Sequence, residues 1–254
     1  MDVLIFGGQS NMQGQTGGLP EHNEPVENSM EYRYLENSLV PVVHPVGEKL
    51  EDGLLLGASS GFGSMIPDFC RAYTKKTGRK VVAIHAARGN TKLAEWLKGT
   101  DRYACAVKKI CAGIEKAKSL GPVERILYIW LQGESDAIER TSEADYKKML
   151  TAYKNDLKAD TGIQRFGIIQ VGYFCATVRW LTDRTKEDGK ACDEVIMAAQ
   201  KALPEEDPDF VLLTEICKTL SLQEQYINPF ADGHFNNEAM VIIGTAAGEA
   251  LAKI

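Results

Sequence analysis

A chain of 254 residues that is 44% hydrophobic is long enough for one sizeable core, and a single α/β domain spanning 1–254 is the expectation. Its formal net charge of −6, carried with lysines and arginines scattered rather than clustered, argues against a nucleic-acid or anionic-membrane surface. No apolar run approaches the ~18–20 residues of a membrane span, and Met1 leads straight into a strand pattern without a basic and then apolar leader, so a cytoplasmic protein is expected.

The chain opens on Val3-Leu-Ile-Phe6, two glycines, and then Gln9-Ser-Asn-Met-Gln13. An apolar run broken by glycines and followed at once by polar residues predicts a buried strand ending in a tight turn, with Ser10 at the start of the next element. Ser10 is therefore either a helix cap or a nucleophile, and the turn alone does not choose. From 14 to 61 the chain is dense in Gly, Pro, Asn and Glu, which predicts a loop excursion with short strands around Tyr32–Leu35 and Leu39–Val43, forming one wall of a pocket. A helical run from Met65 to Lys76 stops at Gly78, and a second strand follows at Lys80–His85. In the next helix Tyr103, Val107, Ile110, Ile114 and Ala117 share one face, and Gly121-Pro122 closes it.

Arg125 to Leu131 shows no alternation of apolar and polar residues, which predicts a strand buried on both faces in the middle of a parallel sheet. The polar group Gln132-Gly-Glu-Ser-Asp136 follows immediately. A helix beginning at Thr141 or Ser142 presents Tyr146, Leu150, Tyr153 and Leu157 inward and stops at Thr161-Gly162. Phe166–Val171 is a fourth strand, followed by a polar loop, 172–189, that carries Arg179 and Trp180. A helix over 191–203 is expected to stop at Pro204, Asp209–Leu213 is a fifth strand, and a last loop leads through His234 into a helix from Asn237 to the end. Five strands alternating with helices predict a three-layer α/β/α sandwich on a five-stranded parallel sheet with right-handed crossovers.

In such a fold every strand-to-helix loop opens onto one edge of the sheet. Ser10, Gly63, Gln132 and His234 then share that edge, and together they meet the needs of acyl transfer: a nucleophile, a base and oxyanion donors. The six cysteines form no C-x-x-C pair and no metal-ligand spacing, so reduced thiols are expected, and the chemistry calls for no metal or other cofactor.

The islands Gly8-Gln-Ser-Asn-Met12, Gly61-Phe-Gly63, Leu93-Ala-Glu-Trp96, Trp130-Leu-Gln-Gly-Glu134 and Asp232-Gly-His-Phe235 resemble, in order, the motif blocks of the SGNH (GDSL-like) hydrolases. Within that superfamily they are most similar to the sialate O-acetylesterase-like and acetylxylan-esterase-like branch, carbohydrate esterase family 6. The resemblance implies a flavodoxin-like SGNH fold and a serine esterase acting on an acetylated carbohydrate. Carried over residue by residue, it makes Ser10 the nucleophile, His234 the base, Asp232 the orienter, and Ser10, Gly63 and Gln132 the oxyanion hole. Gln9, Asn11 and Glu134 become supports, with Asn90, Arg88, Trp96 and Arg179 on the substrate side.

Two departures stand out. The family places its aspartate three residues before the histidine, whereas Ala231 holds that position here and Asp232 stands only two before His234, leaving Glu134, Asp136 or a backbone carbonyl as alternative orienters. The middle block reads Arg88-Gly-Asn-Thr91 where the family has Gly-Gly-Thr. A carbohydrate-binding protein that kept the fold and lost the chemistry is the rival reading, and a nucleotide binder using Gly7-Gly8 is a more distant one, since no G-x-G-x-x-G or Walker pattern is present. Arg88 and Arg179 suit a sialic-acid carboxylate, while acetylated xylan suits an open aromatic groove. The residues alone decide neither, nor the oligomeric state.

Overall fold

The computed structural model describes residues 1–58 and 62–254. Its strands are β1 (Asp2–Gly8), β2 (Ser29–Arg33), β3 (Ser38–Pro41), β4 (Val81–Ala87), β5 (Arg125–Leu131), β6 (Arg165–Ile169) and β7 (Phe210–Thr214). The helices are α1 (Ser10–Gln13), α2 (Ile66–Thr77), α3 (Asp101–Lys118), α4 (Glu134–Ile138), α5 (Glu143–Thr161), α6 (Lys186–Glu206), α7 (Ile216–Leu220) and α8 (Asn237–Leu251). The sheet order is β3-β2-β4-β1-β5-β6-β7, parallel throughout except for the antiparallel pair β2–β3.

All seven residues of β1 are buried, because β4 and β5 flank it and helices cover both its faces. Successive side chains of a strand point to opposite faces. Phe6 accordingly meets Phe69 of α2 edge to face at 5.1 Å, while Gly7 on the other face makes room for Tyr128, whose hydroxyl lies 2.7 Å from that of Tyr153 on α5. Around that pair Trp96, Trp130 and Phe166 complete an aromatic cluster, and α8 packs on α2 over the opposite face.

The sheet has seven strands, not five. The two additional strands come from the excursion, where short strands were expected but not their pairing: β2 adds in parallel to β4, and β3 folds back on β2. Their burial pattern is mixed, so the periodicity of an edge hairpin is indistinguishable in the sequence from that of a pocket-wall loop. α6 also differs. It begins at Lys186 because Thr185 and Asp188 form a reciprocal cap, and it runs through Pro204 to Glu206, since a proline in the last turn leaves only one helical hydrogen bond unmade. Among the described residues no helix is long and apolar enough to cross a membrane.

Buried charge pins the excursion to the helices. Glu48 accepts hydrogen bonds from the backbone N–H of Tyr34 and Leu35, and its carboxylate lies 3.0 Å from the ammonium of Lys109 on α3, which is only 1% exposed. Burial lowers the Lys109 pKa; it also works against the Glu48 carboxylate, but Lys109 and the two amides outweigh it and hold Glu48 below its usual value. Removing one partner of such a pair strands the other charge. Lys109→Met should therefore cost about 3 kcal/mol in urea unfolding, and adding Glu48→Leu should recover part of that loss.

Candidate active site

β1 ends where Gly8 takes φ +142° against the carbonyl of Leu131, a position that a β-carbon would fill. The backbone of Gln9 then bonds Leu131 O at 3.0 Å, and α1 starts at Ser10. As the first residue of a helix, Ser10 keeps an N–H without an intrahelical acceptor. Its side chain opens onto a cavity of about 320 Å³ also lined by His234, Gln9, Gln13, Arg88, Gly89 and Asn90, with Leu56, Ile138, Phe174 and Trp180 as its apolar wall. A larger cavity of about 840 Å³, between the 19–25 segment and helices α2 and α8, is lined by neither Ser10 nor His234.

His234 comes from the turn before α8. Its Nδ1 lies 3.0 Å from the backbone carbonyl of Asp232 and 3.3 Å from that of Ala231. A carbonyl only accepts, so Nδ1 carries the proton and Nε2 is left as the lone-pair nitrogen. Phe174 packs edge-on against the imidazole at 5.8 Å, and burial lowers the His234 pKa below the usual 6.5, keeping the ring neutral. The Phe174 loop is in turn held by buried Asp193, which accepts from the amides of Cys175 and Ala176; burial raises its pKa to about 6.

One side chain ties three distant islands together. Asn11 donates to Glu134 Oε1 at 2.8 Å and accepts from the N–H of Phe235 at 3.2 Å, fixing the residue beside the serine to the residue beside the histidine. Gln9 accepts from the amides of Gly133 and Ser135, locking the same loop to β1. Glu134 is fully buried, and desolvation raises its pKa.

Several expected roles do not match the geometry. The Asp232 carboxylate does not face the imidazole: four hydrogen bonds from Arg179, the closest at 2.6 Å, turn it outward, and the orienting contact to His234 is the Asp232 backbone carbonyl. Arg179 is thereby committed to an ion pair. The fully buried Gln132 amide does not line the cavity here: it donates to Thr91 O at 3.0 Å and Asp136 Oδ2 at 2.6 Å. Gly63 is likewise drawn away, its N–H bonding Gly18 O and Thr16 Oγ1, while Gly61 lies outside the described residues. Trp96 does not reach a sugar: it is wholly buried against Trp130 at 5.5 Å, with its indole N–H on Thr91.

The glycine beside the nucleophile is Gly89. A β-carbon there would stand 3.3 Å from Ser10 Cβ, and the Gly89 N–H donates to Gln13 Oε1 at 2.7 Å. Gln13 also donates to Gly57 O, so it couples the excursion to the β4 loop. Gly89 follows the strand next to β1, and that adjacency in the sheet is the signal that singles it out over Gly63. The Arg88 guanidinium has no ion-pair partner among the described residues and makes one hydrogen bond, to Gly89 O at 3.3 Å. Also among the described residues, no group of three or more His, Cys, Asp or Glu side chains is arranged to hold a metal ion.

With this geometry in view, a family profile described as "Carbohydrate esterase, sialic acid-specific acetylesterase" matches residues 1–253. The chain belongs to this family. A probable carbohydrate esterase of Arabidopsis thaliana is 26% identical over 248 residues, covering 90% of this chain and 91% of the relative. The crystal structure of that plant protein superposes with a TM-score of 0.72 at 18% identity, covering 98% of this chain and 96% of the other. NanS superposes with a TM-score of 0.68 at 15% identity, covering 98% and 96%. The fold is thus that of the SGNH hydrolases, and the family is one of carbohydrate esterases.

Because the carboxylate of Asp232 belongs to Arg179, Asp232→Asn should lower kcat on a small acetyl ester by less than about tenfold. A triad aspartate would lose on the order of 10⁴ on the same change, so the kcat ratio separates the two arrangements.

Proposed function

We propose that the chain is a serine esterase that hydrolyses O-acetyl esters of a carbohydrate through an acetyl-enzyme. The observation that carries this reading is that Ser10 and a neutral His234, its Nδ1 satisfied by a backbone carbonyl and its Nε2 without a hydrogen-bond partner among the described residues, line one small cavity. Nε2 takes the Ser10 hydroxyl proton as Oγ attacks the acetyl carbonyl, then returns it to the departing sugar hydroxyl; in the second half it activates water. The Ser10 N–H, which has no intrahelical acceptor, is the oxyanion donor free at rest, and the Gly89 N–H beside it joins it only on release from Gln13 Oε1. The names of similar proteins support the substrate class: the plant relative is called a probable carbohydrate esterase, and a Xanthomonas citri structure with a TM-score of 0.50 is titled a carbohydrate acetylesterase. The guanidinium of Arg88 at the cavity, without an ion-pair partner among the described residues, favours a sugar bearing a carboxylate, such as a sialic acid, over neutral xylan.

Ser10→Ala should abolish hydrolysis of 4-nitrophenyl acetate while leaving the far-ultraviolet circular dichroism unaltered, and a fluorophosphonate should label the unaltered chain at Ser10. A chain that binds acetylated sugar but resists labelling would support the binding-protein alternative instead.

Protonating His234 removes the base, so activity is lost as pH falls through its pKa. Burial depresses that pKa, and the acid limb of kcat/KM should therefore have its midpoint below pH 6.5. A midpoint above 6.5 would indicate a carboxylate partner on the imidazole.

A further inference from the structure

We infer that Trp180 is the platform on which a pyranose ring of the substrate stacks, held over the cavity by the Arg179–Asp232 ion pair. This rests on the carbohydrate reading above and adds a ligand contact to it. The chain has three tryptophans, and Trp96 and Trp130 are sealed in the aromatic cluster. Trp180 is 57% exposed and lines the catalytic cavity. Exposure by itself proves little, since isolated apolar residues are common on surfaces. Phe230 is 85% exposed yet does not line that cavity, so Trp180 is distinguished by its position.

The surroundings specify what the ring would meet. A sugar presents a flat face of C–H bonds rimmed by hydroxyls, and it needs an aromatic plane with polar groups to one side. Trp180 supplies the plane, and Gln15, Arg88, Asn90 and Ser135 line the same cavity as donors and acceptors. The indole contacts Phe174 at 6.3 Å in an edge-to-face arrangement, and Phe174 contacts His234 at 5.8 Å. One aromatic ring therefore separates the platform from the base, in the cavity that Ser10 also lines.

The segment around Trp180 has no regular secondary structure to fix the indole. Its contact with Phe174 and the ion pair that tethers the adjacent Arg179 do so instead. The backbone N–H and guanidinium of Arg179 grip the Asp232 carboxylate, whose own main-chain carbonyl orients His234. Asp232 is thus a positioning residue at both ends: its side chain sets the platform and its backbone sets the base.

The test compares 4-nitrophenyl acetate, which has no sugar, with O-acetylated methyl glycosides of neutral and carboxylate-bearing sugars. Trp180→Ala should raise KM for the glycoside it hydrolyses, and its loss of kcat/KM there should exceed the loss on the nitrophenyl ester by about tenfold or more. Trp180→Phe should restore most of the difference, Arg179→Ala should reproduce part of it, and Phe230→Ala should leave the ratio of the two substrates as it is. Equal losses on both substrates with Trp180→Ala would overturn the platform. A direct reading comes from the Ser10→Ala protein: with the other two tryptophans buried, acrylamide quenches mainly Trp180, and a saturating acetylated glycoside should protect it. Quenching indifferent to the glycoside would overturn the inference. Hydrolysis of neither substrate by the unaltered chain would overturn the esterase reading, and the quenching would still decide the platform.

Discussion

The Asn11 side chain is the interaction on which the site depends. It belongs to the turn after β1, and it simultaneously engages Glu134 after β5 and Phe235 before α8, residues more than a hundred and more than two hundred positions away. A buried amide that donates to one carboxylate oxygen and accepts from a main-chain N–H with one geometry leaves little freedom to any of the three loops. The parallel sheet brings these loops to one edge, but a sheet alone positions them only to within the play of their turns. Asn11 removes that play. Gln9 does the same between β1 and the start of α4, so both neighbours of Ser10 in the chain are braces.

Much of the fold was legible because its central strands carry no alternation. A run such as Ile126 to Leu131 has few stable settings other than a strand covered on both faces, and the helix stops at Gly78 and Gly162 take the left-handed conformation that glycine permits. The hairpin of β2 and β3 was not legible as part of the sheet, since half-buried edge strands have no distinctive period and their pairing depends on a partner some fifty residues away.

The site divides along similar lines. Residues on the first turn after a strand, such as Ser10, could be placed from topology. The direction of a polar side chain could not, because it is set by competition among partners. Gln132 has the right identity and the right loop, yet Asp136 one helical turn on takes its amide. Asp232 stands beside the histidine, yet Arg179, fifty-three residues earlier, offers two nitrogens in a planar fork that a neutral imidazole does not match. Gly89 and Gly63 are equally plausible glycines in one dimension, and only the order of strands, β4 next to β1, separates them.

The position of the β2–β3 hairpin bears on how the molecule behaves in company. An exposed strand with free amides is a template on which another chain can build. Here that outermost place falls to β3, which is four residues long and finishes on Pro41, a residue with no N–H to offer. The sheet is therefore blunted on its β3 side, so the same excursion that walls the cavity also discourages self-association through the backbone there.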